Sequence, residues 1–282
     1  MTESLDLDGA GGGATCRYGV SRLACRGPRR ALDDPYIAFA GSSEFYGRFI
    51  ERPLPALVED RIGEPCVNFA AVNGGIEAYV NDPTLTRLCA QARCTVLQVM
   101  GANFLSNRFY MVHPRRNDRF LRTSTVLDAI YPEVDFADFT FTRHMLTTLH
   151  ETCPERFDIV VSELREAWSA RMRTLIQSIK SPVVLTWFTM EDLDDTPWQE
   201  RPAGLTANPL FVTASMVEKL RPLVRDIVDL QPSRTAIAAG TRGMAFTQMQ
   251  RAAAEEMLGP ACHTEAADTL ADRLQAITSM AA

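Results

Sequence analysis

The chain predicts an α/β fold: a three-layer α/β/α sandwich around a mainly parallel sheet of five strands in a flavodoxin-like order. Three observations carry this. Short apolar runs recur at residues 36–40, 66–70, 95–100, 183–188 and 226–230, each of a length and composition suited to a strand buried on both faces. Helical patterns fill most of the intervals, and strand alternating with helix implies parallel pairing, because parallel neighbours need a crossover. The chain also has 282 residues of which 46% are apolar, enough for one large core.

In chain order, residues 1–14 are acidic and then Gly-rich, and residues 16–30 alternate Arg with small and apolar residues up to Gly27-Pro28. Residues 1–35 therefore read as an irregular N-terminal arm on the sheet edge, ahead of a single domain over 36–282. Leu54, Leu57, Val58, Arg61 and Ile62 form one helical stripe, and Leu164, Trp168, Met172, Leu175 and Ile179 another. Asp82-Pro83-Thr84 offers an N-cap followed by Pro at the first helical position. Residues 104–157 are too long for a bare loop and predict an insertion of short helices that caps the domain or forms a contact surface. Residues 189–208 are acidic, contain Pro197, Trp198 and Pro202, and read as a flap. Two last helices are expected at 246–258 and 265–280, separated by Gly259-Pro260.

A formal charge of −6 argues against a dedicated nucleic-acid binder. Basic residues are nearly all Arg; only Lys180 and Lys219 are Lys. Seven cysteines without a C-x-x-C pair signal neither a disulfide scaffold nor a zinc site. The N-terminal segment lacks the cationic start and apolar centre of a signal peptide, and no apolar stretch is long enough for a bilayer. The expectation is a cytoplasmic protein with a small-molecule substrate, no cofactor, no metal, no nucleic-acid partner and no membrane association; homo-oligomerisation stays open.

Four segments can carry chemistry. Gly41-Ser42-Ser43-Glu44-Phe45-Tyr46-Gly47 follows the first strand, so a hydroxyl-rich turn stands at the carboxyl end of the sheet. Asn73-Gly74-Gly75 follows the second strand, and a glycine N–H there can approach an oxyanion closely. Gly101-Ala102-Asn103 follows the third, and an Asn amide can donate to developing negative charge. Cys262-His263 precedes the last expected helix. Each segment has a plain structural reading as well: glycines and Asn form turns, and a histidine near a helix end caps it.

Taken together, the four segments resemble the blocks of the SGNH (GDSL-type) hydrolase superfamily, in divergent form. The first block is usually G-D-S, and Ser42 replaces the Asp; the last is usually D-x-x-H, and Pro260 stands in the Asp position. The resemblance implies a serine esterase or acyl hydrolase with Ser43 as nucleophile and His263 as general base. The Ser43 and Gly75 N–H groups and the Asn103 amide would hold the oxyanion. A Ser-His dyad, or a carboxylate from Asp192, Asp194 or Asp195, would replace the lost Asp. Ser42 and Gly74 would contact substrate, and Arg108, Arg115, Arg116 and Arg119 beyond Asn103 would favour an anionic group if they face the pocket, with Arg143 and His144 as further members. The rival readings are an inactive SGNH-fold protein that binds an anion and a sulfuryl or acyl transferase. The Arg-rich stretches near both 17–30 and 107–122 also resemble, over nearly the whole chain, an uncharacterised bacterial family with no established activity.

Overall fold

The computed structural model describes residues 13–279; what was expected of residues 1–12 and of Met280 lies outside them. In chain order the strands are β1 (Thr15–Cys16), β2 (Cys25–Arg26), β3 (Ile37–Ala40), β4 (Cys66–Asn68), β5 (Cys94–Gln98), β6 (Tyr110–His113), β7 (Arg116–Thr123), β8 (Val183–Trp187) and β9 (Asp226–Asp229). The helices are α1 (Ser43–Tyr46), α2 (Leu54–Ile62), α3 (Ile76–Val80), α4 (Pro83–Gln91), α5 (Thr125–Ile130), α6 (Thr142–Thr152), α7 (Pro154–Ser178), α8 (Ala214–Glu218), α9 (Arg234–Ala238), α10 (Arg251–Glu255) and α11 (Pro260–Ser279). All five expected strands form, and they make one fully parallel sheet in the order β4-β3-β5-β8-β9.

Alternation along each strand divides the core in two. Ile37, Phe39, Val96 and Val184 face α2 and α11, where Leu54, Val58, Leu270 and Leu274 meet them. Ala38, Ala40, Leu97 and Leu185 face the other layer, which holds Tyr79 of α3, Leu85 of α4, and Leu164 and Trp168 of α7. Because the chain leaves β3 toward β4 and returns past it to β5, the carboxyl ends of β3 and β5 form the topological switch point, the usual ligand crevice of an open α/β sheet. The turn holding Ser43 leaves β3 there.

The arm meets the β4 edge: the Arg26 N–H donates to the Ala70 carbonyl at 3.2 Å, and Tyr18 packs edge-on against Phe69. Buried Arg26 sends its guanidinium to the carbonyls of Tyr46, Gly47, Ile50 and Glu51 at 2.7–3.1 Å, tying down the chain that leaves α1. The Asp82 cap is present: one carboxylate oxygen accepts from the Leu85 N–H at 3.0 Å, the other from the Ser21 hydroxyl at 2.5 Å. Asp82→Ala is expected to lose about 1–2 kcal/mol in urea unfolding; an unchanged midpoint would show that neither bond contributes.

Two expectations near the C-terminus need correction. The helix expected over 246–258 is only a 3-10 turn at Gln248–Gln250 and short α10. The last helix starts at Pro260 and not at 265, since Pro at the first helical position needs no N–H donor. His263 therefore sits inside its first turn, its N–H donating to the Gly259 carbonyl at 3.2 Å. The insertion is built from the β6–β7 hairpin as well as from α5 and α6.

Candidate functional site

Gly41 ends β3, and its position is dictated by crowding. A Cβ there would lie 2.5 Å from Gln98 Oε1 and 2.7 Å from Gln98 Cβ. Tyr79 Oη is within 3.0 Å of the Gly41 N–H and 2.6 Å of its carbonyl. Buried Gln98, reaching over from β5, accepts from the Ser42 N–H at 2.8 Å and donates to Glu44 Oε2 at 2.7 Å. The Asn208 amide donates to the other Glu44 oxygen. Burial raises the Glu44 carboxyl above its usual range despite these donors. The turn is thus clamped on both sides of Ser43.

Ser43 opens α1, and among the described residues its N–H has no hydrogen-bond partner, as expected of the first N–H of a helix. Its hydroxyl accepts from the Asn73 N–H at 3.0 Å and donates to Asn73 Oδ1 at 3.2 Å. Asn73 holds a left-handed backbone, φ 53°, and its amide donates to Asp118 Oδ2 at 3.1 Å. Asp118 in turn pairs with Arg116 at 3.3 Å. These groups border a cavity of about 760 Å³ lined by Ser42, Ser43, Glu44, Arg48, Asn73, Asp118, Arg143, His144, Glu191, Asn208 and Glu256. The insertion supplies Asp118, Arg143 and His144, and the segment 189–208 supplies Glu191 and Asn208.

His263 does not line this cavity. Its ring is 1% exposed, packs edge-on against Phe188, and accepts at Nδ1 from the Leu54 N–H at 2.9 Å. A neutral imidazole that accepts at Nδ1 carries its proton on Nε2, so neither nitrogen offers a free lone pair. Burial, with the Arg26 charge nearby, lowers its pKa to about 3. The expectation that His263 serves as general base is corrected on this geometry: it is a neutral residue that caps the N-terminus of α2.

The oxyanion donors expected after β4 are also engaged. The Gly75 N–H donates to Asn117 Oδ1 at 2.7 Å, and the Gly74 N–H to the Ala71 carbonyl at 3.0 Å. Gly75 is small because Phe104 and Asn117 press on it: a Cβ would lie 2.6 Å from the Phe104 carbonyl. Asn103 is 2% exposed and outside the cavity lining, and its Nδ2 is buried without a partner. Of the four arginines expected at the substrate, Arg108 pairs with Glu163, Arg116 with Asp118, Arg119 lies over Phe141, and Arg115 is exposed; none lines the cavity. The carboxylates considered as partners for His263 bind elsewhere: Asp192 to Gln231, Asp194 to Arg201, and Asp195 to Ser215. Glu44, Asn73, Gln98 and Asp118 carried no sequence signal beyond standing near glycines or strand ends.

Among the described residues no group of three or more His, Cys, Asp or Glu is arranged to hold a metal ion, and no helix is long and apolar enough to cross a membrane.

The fold defines an α/β protein with a parallel five-stranded sheet and a cavity at its switch point. The chain belongs to the family described as Domain of unknown function (DUF6473), whose model matches residues 1–278. No curated protein matches it. Similar solved structures include the salicylyl-acyltransferase SsfX3 from a tetracycline biosynthetic pathway, with 12% identity, a TM-score of 0.43 and coverage of 86% of this chain and 55% of that one. A protein titled a GDSL-like lipase from Bacteroides ovatus has 13% identity and a TM-score of 0.37, covering 87% of this chain and 53% of that one. A lipase from a goat rumen metagenome, Lip_vut3, has 10% identity and a TM-score of 0.37, covering 84% of this chain and 96% of that one. The chain spans about half the length of the first two.

Proposed function

We propose that the cavity is an acyl-transfer site, in which Ser43 accepts the acyl group of a small ester and passes it to water or to a second alcohol. The observation that carries this reading is the position of Ser43: directly after β3 at the switch point, with an unpartnered N–H and a hydroxyl bordering a ligand-sized cavity. In the reaction the Ser43 oxygen attacks the acyl carbon, and the free N–H supports the developing oxyanion. The Ser43 proton passes to a base, which returns it to the departing alkoxide. His144, the imidazole on the cavity wall, takes the base role in place of His263.

One observation favours a second reading, a pocket that binds without turnover. The Ser43 hydroxyl proton is directed at an amide oxygen of Asn73, which is not basic, so attack requires the hydroxyl to turn away from Asn73. A fluorophosphonate probe separates the two. Covalent labelling that disappears in Ser43→Ala, and falls about 100-fold or more in rate in His144→Ala, supports acyl transfer. An unlabelled, folded wild-type protein leaves only the binding reading.

A further inference from the structure

Arg143 departs from the pattern set by its neighbours. Arg108, Arg116 and Arg201 each meet a carboxylate, and Arg26 meets four carbonyls. Arg143 lines the Ser43 cavity from the first turn of α6, and its Nε is buried with no hydrogen-bond partner. Among the described residues no carboxylate lies within 4.0 Å of it. Glu44 and Glu256 act on it only through space, and burial outweighs them, holding the guanidinium below its usual range. Arg143 is half-buried, and its enclosed Nε, without a partner in the empty cavity, gains one once an anion reaches the guanidinium.

The choice of anion follows from the walls. The guanidinium fork matches a planar carboxylate or a phosphate. The lining sets Glu44, Asp118, Glu191 and Glu256 against two arginines, Arg143 and Arg48, of which Arg48 lies over the Phe49 ring and only Arg143 has an enclosed nitrogen without a partner. Asp118 and Glu191 are neutralised by Arg116 and Arg201, but Glu44 and Glu256 are not ion-paired, so a dianion meets more repulsion than a monoanion. A neutral ligand could offer Nε a carbonyl oxygen but would leave the guanidinium charge without a counter-ion.

We propose that Arg143 is the specificity residue of this cavity and receives a carboxylate, so that the ligand is a carboxylic acid that also carries the acyl or ester group presented to Ser43, such as the half-ester of a dicarboxylic acid. The inference rests on the reading of the cavity as a ligand site, but not on turnover at Ser43.

Calorimetric titration of the full chain with monobenzyl succinate, its neutral analogue benzyl valerate and benzyl phosphate tests it, using Ser43→Ala alone and with Arg143→Gln or Arg143→Lys added. Ser43→Ala, which cannot turn the ester over, is expected to bind monobenzyl succinate with affinity at least about tenfold above that for the neutral ester. Arg143→Gln loses that preference and Arg143→Lys keeps part of it. If Arg143→Gln fails to fold, the Ser43→Ala ratio of acid to neutral ester and the lysine variant still decide. Equal affinity of Ser43→Ala for acid and neutral ester, no binding of the acid, tighter binding of the phosphate, or undiminished acid binding by folded Arg143→Gln each overturns the proposal. Acid binding without fluorophosphonate labelling would remove the acyl-transfer reading and leave this one standing.

Discussion

Between pH 7 and pH 4 the wild-type protein should lose about 3 kcal/mol of stability through His263 alone. In the unfolded chain this imidazole takes up a proton below about pH 6.5, whereas in the folded protein burial keeps it neutral until about pH 3. The unfolded state therefore binds more protons across that window, and the contribution is fully present above pH 6.5 and falls as the pH drops toward 3. His263→Gln isolates the effect, because glutamine can accept from the Leu54 N–H and does not titrate. At pH 7 the variant should be less stable by about 2 kcal/mol through lost ring packing on Phe188. By pH 4 the gap should close and reverse. Parallel stability curves for the two proteins in urea titrations at pH 7, 5 and 4 would mean that the ring is protonated or solvated when folded, and would reopen a catalytic role for it.

Gly41→Ala should be the most disruptive change at the candidate site, at about 3 kcal/mol. The backbone there is not in the left-handed region, so the requirement for glycine is one of space. The new methyl would enter the Gln98 side chain at both Oε1 and Cβ and would stand 3.0 Å from the Phe45 ring. The Gln98 amide can swing aside, but its Cβ is fixed by β5, where Leu97 pairs with Ala40. Moving the amide frees the Ser42 N–H and releases the Glu44 carboxylate. A lowered melting temperature is expected, with fluorophosphonate labelling reduced at least about tenfold even where the variant is folded. Gly63→Ala provides the contrast: nothing lies within 4 Å of its Cβ, and only its φ of +70° opposes alanine, about 1 kcal/mol. Wild-type melting and labelling in Gly41→Ala would show that the clamp does not position the serine.

The strands and the Asp82 cap were readable because their signals are local. A run such as Ile37–Ala40 is apolar at every position because both faces are covered, and a cap acts within three residues. The Ser43 turn was readable for the same reason, as small polar residues at a strand end. Gly259-Pro260 is ambiguous in the sequence: the pair suits a helix stop, but Pro260 is equally suited to begin a helix, and the last helix begins there.

Roles within the site depended on which distant group reaches each donor. The histidine and the N–H that bind each other, His263 and Leu54, are 209 positions apart; Gly75 and Asn117 are 42 apart, and Ser42 and Gln98 are 56 apart. Apolar periodicity and turn chemistry act over a few residues, so the chain alone determined the parallel sheet and put Ser43 at its carboxyl rim. Hydrogen bonds between remote segments exist only once the layers close. The tertiary structure therefore decided that His263 is a buried acceptor, that the N–H of Gly75 is already bound, and that Arg143 and Arg48, not the arginines of 108–119, line the cavity, Arg143 with its Nε enclosed and without a partner.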